Sequence, residues 1–253
     1  MISIARLVLA DPSEAADLSA FLGRLLRFDR AAAVRLQAVP RSVFREATAR
    51  RGPAAAAESE ATVEEWADGV LAVFGRLPLG SSGVIAIRTA RLAGLAEAAD
   101  ATVSAGQLLE GVDERSGALA LPAPVTGPAW TGLLPPRTGW QPLGTPDVGL
   151  VMPQVFGAVE EFKERTAAVP EHHRTRVVLD GIADEIWSRS LTAAPELPLR
   201  AAHAAYRIGF LHPGAPLSAH RAGSWLRLTA PHGSVAVRSA AAPGAGLGLT
   251  PLA

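Results

Sequence analysis

At 253 residues the chain is long enough to bury a core, and the length is read as two domains rather than one. Hydrophobic residues make up 49%, yet aromatics only 5%, so the core must be built from small and aliphatic side chains. The absence of cysteine excludes disulfides, thiolate nucleophiles and zinc–thiolate sites, and 24 basic against 24 acidic residues leave the chain formally neutral.

The opening MISIARLVLADPSE reads as a strand over Ile2 to Leu9 and lacks the basic n-region of a secretion signal. Asp11-Pro12-Ser13-Glu14 then carries the cap chemistry of a helix start. Leu18, Phe21, Leu22, Leu25 and Leu26 follow at helical spacing, which gives that helix one apolar stripe. Val34, Leu36 and Ala38 alternate with Ala33, Arg35 and Gln37 as a second strand. The low-complexity run between Arg50 and Thr62 reads as a mobile loop. Val70–Leu77 and Val84–Arg91 are β-rich and flank a Gly/Ser connection, the pattern of an antiparallel hairpin. Ser104 and Gln107 have capping-box spacing and predict a short helix through Leu109.

Residues 122–153 hold eight of the 20 prolines together with Trp130 and Trp140. Little regular structure is expected there, and the tryptophans predict an ordered strap, with a partner-binding polyproline segment as the alternative. Beyond Pro153 the spacing turns helical, with Pro170 and Pro195 as punctuation. Leu199, Ala202, Tyr206 and Phe210 define a further helix, and Trp225–Thr229 with Val235–Arg238 flank a Pro-His-Gly turn as a hairpin. The fold class is α+β: a mostly antiparallel sheet with one or two helices in the N-terminal half, then a helical C-terminal half ending in a β-hairpin. The expected domains are 1–121, a strap or linker over 122–153, a helical domain over 154–240, and a flexible tail over 241–253.

Charge is distributed by position. Glu196 is the last acidic residue, and beyond it stand Arg200, Arg207, Arg221, Arg227 and Arg238 with four of the six histidines. A neutral chain is therefore about −5 followed by +5, which points to an anionic partner or to the chain's own acidic part. The element order 174–190, 197–211, 215–223 and 225–238 resembles a winged helix-turn-helix, without a sequence signature. On that order Ser218, His220 and Arg221 would face a groove while Arg227 and Arg238 approach phosphate. Arg200, His203 and Arg207 would line a basic stripe on the 197–211 helix. The opposing reading is a solvated basic face that pairs with the acidic half.

Catalytic signals are weak. His173, Asp180 and Asp184 share a side if 172–190 is one helix, but no HExxH occurs and no metal site is expected. Neither a nucleophile elbow nor a phosphate-binding glycine loop is present, so no catalytic residue and no cofactor are assigned. With 23 arginines, one lysine and no asparagine, the composition is that of a GC-rich bacterial genome, and a soluble cytoplasmic location is expected. No run nears the roughly 18 apolar residues of a membrane span, so no membrane partner is expected. The functional expectation is a non-enzymatic binding or regulatory protein. Its basic C-terminal surface, with strap contacts from Trp130, Arg137 and Trp140, would meet nucleic acid or an acidic protein; the alternative is an enzyme with an inter-domain pocket.

Overall fold

The computed structural model describes residues 6–40, 69–79, 83–95 and 97–239. Two expectations, the mobile loop over Arg50–Thr62 and the tail over 241–253, lie outside the described residues, as does the turn at 80–82. The chain divides into two compact units, Met1–Leu77 with Ile85–Leu134 and Arg207–Gly209, and Pro78–Val84 with Pro135–Tyr206 and Phe210–Ala253. Among the described residues there are five α-helices and thirteen strands in antiparallel sheets, so the fold is α+β. None of the described helices is long and apolar enough to cross a membrane.

In the first unit Asp11 accepts a hydrogen bond from the Ser13 N–H at 2.7 Å and starts helix α1, Pro12–Phe28. Its stripe of Leu18, Phe21, Leu22 and Leu25 is fully buried. Strand β1 is Arg6–Val8, β2 is Ala33–Pro40, β3 is Gly69–Leu77, β4 is Val84–Leu92 and β5 is Ala99–Ser104. The last four form a sheet in the order β5-β2-β3-β4. Register pairs Val34 with Gly75, Leu36 with Val73 and Ala38 with Leu71, so these residues share a face. Gly75 lies against Leu25 of α1, where an added Cβ would stand 2.6 Å from a Leu25 methyl. Helix α2, Ala105–Glu110, is capped by Ser104, which accepts from the Gln107 N–H. Strands β6, Val112–Asp113, and β7, Ala118–Ala120, complete a small sheet of order β1-β7-β6.

The segment after β7 is irregular but ordered. The Val125 N–H bonds the Thr102 carbonyl on edge strand β5, and Arg35 donates through Nη1 to the Thr131 carbonyl while its Nε and Nη2 grip Asp100 at 2.8 and 2.9 Å. Thr131 is buried inside a single 3-10 turn, Ala129–Gly132, and Trp130 beside it is half-buried.

The second unit departs from the predicted elements in three places. Strand β8, Gln141–Gly144, forms within the proline-rich stretch, and helix α3 begins at Val148 rather than after Pro153. Asp147 caps α3 by accepting from the Gly149 N–H. Pro153 is tolerated inside the helix because the carbonyl it crowds, four residues back, belongs to exposed Gly149, where water can take the missing bond. Helix α3 runs to Ala168. His173 sits in a separate 3-10 turn, Glu171–His173, and helix α4 spans Arg176–Trp187, so His173, Asp180 and Asp184 do not share one helix.

The winged-helix order also fails. Strands β9, Ser190–Leu191, and β10, Ala194–Pro198, pair between α4 and helix α5, Leu199–Arg207. Within the expected recognition segment, 215–223, residues 218–222 are strand β11. It pairs with both β8 and β12, Trp225–Ala230, and β12 pairs with β13, Gly233–Arg238, giving the order β13-β12-β11-β8. Gly223 explains the outcome: it has a φ of +55° at the two-residue connection between β11 and β12, a turn position where glycine is favoured and a helix is not continued.

A buried cation ties α1 to the first sheet. Arg88 on β4 is 7% exposed and its Nη2 meets Asp17 at 2.7 Å and Glu14 at 3.3 Å, while Arg91 holds Glu14 from the other side at 3.0 Å. Breaking a fully buried pair costs about 3–5 kcal/mol. Asp17 is partly exposed and Glu14 keeps Arg91, so Arg88→Ala should lower unfolding free energy by about 2 kcal/mol. Urea denaturation measures it; an unchanged midpoint would show that Arg88 does not anchor α1.

Candidate anion-binding face

Strand alternation sorts the side chains of the β13-β12-β11-β8 sheet onto two faces. Cross-strand pairs Arg221↔Leu226, Leu226↔Val237 and Leu228↔Val235 define one face, which is apolar and buried apart from Arg221. The other face is defined by Ser218↔Thr229↔Ser234, His220↔Arg227↔Ala236 and Ala222↔Trp225↔Arg238, with Pro142 beside His220. Its polar part, Ser218, His220, Arg227, Thr229 and Arg238, is partly or fully exposed, whereas Ala222, Trp225, Ser234 and Ala236 on the same face are buried, and none of these residues is acidic.

Arginine and tryptophan alternate across this second face. The Arg238 guanidinium carbon lies 5.9 Å from the Trp225 ring centroid, Trp225 stands two residues from Arg227 on β12, and Arg227 lies 5.2 Å from the Trp140 ring centroid. Trp140 is fixed by an Nε1–H bond to the Pro136 carbonyl at 2.8 Å. Each such contact contributes about 0.5–1 kcal/mol where solvent reaches it.

Arg227 is the centre of the arrangement. It is half-buried, and its Nε donates to Ser234 Oγ at 3.0 Å. Among the described residues it has a ring and a hydroxyl for partners but no carboxylate. Burial pushes its pKa below the ordinary value, although a guanidinium remains charged at neutral pH. Across the strand, burial and then the Arg227 charge push His220 below the usual imidazole value, so a neutral ring is favoured there. A guanidinium fork, a titratable imidazole and the hydroxyls of Ser218 and Thr229 thus line one surface. Together they can donate to an oxyanion.

The remaining sequence candidates fall elsewhere. Arg200 bonds Ser188 Oγ and lies 3.7 Å from Asp184. Arg221, on the apolar face, is paired with Glu196, the last carboxylate of the chain. His203 is buried and stacked on Trp187 at a centroid separation of 3.9 Å and 9° between planes, which is core packing. Arg207 ends α5, is grouped with the first unit, and lies 5.2 Å from the Phe28 ring centroid. Arg137 is exposed. The structure therefore brings Ser218, His220, Arg227 and Arg238 onto one face with Trp140 against Arg227, while Arg200, His203 and Arg221 have partners elsewhere in the second unit, and Arg207 and Trp130 belong to the first. Trp225, Thr229 and Ser234 were missed; the period-two run Trp225-Leu226-Arg227-Leu228-Thr229 held the signal for the first two. Among the described residues no three His, Asp or Glu side chains converge as a metal site.

The fold and the site define a two-unit α+β protein with a carboxylate-free Arg/Trp face on its C-terminal sheet. The chain belongs to the family described as Domain of unknown function (DUF8010), whose model matches residues 3–132, just over half of it. A second model, Domain of unknown function (DUF8185), matches residues 135–242, the part that carries the face. No curated protein and no solved structure matches.

His220 gives the electrostatic test. Its folded pKa lies below its unfolded one, so as pH falls from about 6.5 the unfolded chain takes up the proton first. Stability contributed by this group is therefore full above about 6.5 and is lost as pH falls through the folded value. An NMR titration should place His220 below a free imidazole, and Arg227→Gln should move it upward without fully restoring it, since burial is the larger cause. A value unmoved by that substitution would show that Arg227 exerts no field on the ring.

Proposed function

We propose that the protein is a non-enzymatic binding protein that contacts an anionic partner through the polar face of its C-terminal sheet. The observation that carries this reading is Arg227, a partly desolvated cation supported by Trp140 and Ser234 and lacking a carboxylate among the described residues. Taking a charge out of water costs free energy that a bound anion recovers. Arg238 and His220 add donors on the same face, whereas Arg200 and Arg221 are neutralised internally. The arginine-rich, asparagine-free composition supports a bacterium of high GC content, and a cytoplasmic location is part of the same reading.

Tryptophan fluorescence titrated with a short inorganic polyphosphate provides the test, because the probe would bind beside Trp140. Binding should saturate at low salt and tighten between pH 7.5 and about 6, as the anion draws a proton onto His220. Arg227→Gln should weaken it by about tenfold or more, the loss of one charge-assisted hydrogen-bond pair. Absence of any saturable signal at low salt would end the reading.

A further inference from the structure

Resting on that reading, we infer that the anion is the backbone of a single-stranded nucleic acid, with a base stacked on Trp140 and phosphates on Arg227 and Arg238.

Three features favour this ligand. The first is the surface. It is the face of an antiparallel sheet, and the segment expected to enter a duplex groove is strand β11 within that sheet. A sheet face has no projecting helix to place in a major groove, but it can support unstacked bases.

An aromatic plate beside a cation is the second, since Trp140 is partly exposed while Trp225 is buried. Trp140 is half-exposed, with its plane held by the Nε1–H bond to Pro136 and by Arg227 against the ring. A pre-set indole loses little freedom when a base stacks on it, and such stacking tolerates any base. An acidic peptide has no use for that plate. Its carboxylates would be satisfied by lysines or arginines alone.

The third feature is the polar lining. The Ser218 and Thr229 hydroxyls, paired across β11 and β12, each present a donor and an acceptor beside His220. Base edges offer both kinds of group, whereas a bare phosphate or carboxylate only accepts. A surface evolved for inorganic anions alone would gain nothing from the acceptors. The absence of carboxylates on the face removes the repulsion a phosphodiester would otherwise meet.

Fluorescence anisotropy on the full chain tests the assignment with four probes: a labelled oligodeoxyadenylate of about 12 nucleotides, a duplex of the same length, polyglutamate, and inorganic polyphosphate. The single strand should bind most tightly. With two phosphates neutralised, the slope of log affinity against log salt should be about −1.4, a loss of about sevenfold between roughly 50 and 200 mM salt. Trp140→Ala should weaken the single strand by about tenfold and leave polyphosphate within about twofold, because only the base is lost. Arg227→Gln should weaken both, while Arg176→Gln, on α4, should change neither.

Equal binding of duplex or polyglutamate, or a Trp140→Ala variant that keeps full affinity for the single strand, would overturn the single-strand assignment and leave the anion-binding face intact. Loss of all binding, polyphosphate included, would remove both. Circular dichroism of Trp140→Ala confirms that it folds, and Trp140→Phe, which retains a ring, should recover part of the affinity.

Discussion

The cross-strand register of β11, β12 and β13 is the constraint on which the candidate site depends. Because successive side chains on a strand point to opposite faces, pairing Arg227 with His220 and Ala236 also fixes Trp225 beside Arg238 and Thr229 beside Ser234. A slip of one residue would turn Arg227 into the apolar side and bring Leu226 and Leu228 out to the polar one. The buried leucines and valines therefore hold the arginines in place, and the arrangement of the site follows from the core beneath it.

Charge on the C-terminal part is handled in two ways. Where a carboxylate is within reach, it is used: Asp184 for Arg200 and Glu196 for Arg221. Where none is paired among the described residues, the guanidinium lies over a ring, as Arg207 does on Phe28, Arg227 on Trp140 and Arg238 on Trp225. A ring stabilises a cation without cancelling its charge, so these arginines stay able to meet an anion. The quartet of Glu161 and Arg165 on α3, Glu185 on α4 and Arg189 just past its end shows the contrasting case. There the Arg189 hydrogen bond lowers Glu161 and the Arg165 hydrogen bond lowers Glu185, so each charge is answered within the protein.

Much of the fold was legible from local chemistry. Asp11 with Pro12, Ser104 with Gln107, and the alternation through Val34, Leu36 and Ala38 each specified an element without help from the rest of the chain. Pro153 misled because a proline usually ends a helix pattern, and only its exposed setting opposite Gly149 allows α3 to begin earlier. Residues 218–222 misled because Ser-Ala-His-Arg-Ala has no strong preference; pairing with β8 and β12 decides its state. Of the site, the excess of unbalanced arginines was visible in the sequence. Which of them were already paired was not, since Arg200 and Arg221 find their partners on other elements.

The most direct measurement of the central claim is side-chain NMR of the arginine Nε–H groups while inorganic pyrophosphate is added. A cation open to anions at Arg227 predicts that its Nε–H signal shifts first and saturably, with Arg238 following and the carboxylate-paired Arg200 and Arg221 unmoved. Signals that stay fixed at Arg227, or that drift together at every exposed arginine, would contradict it.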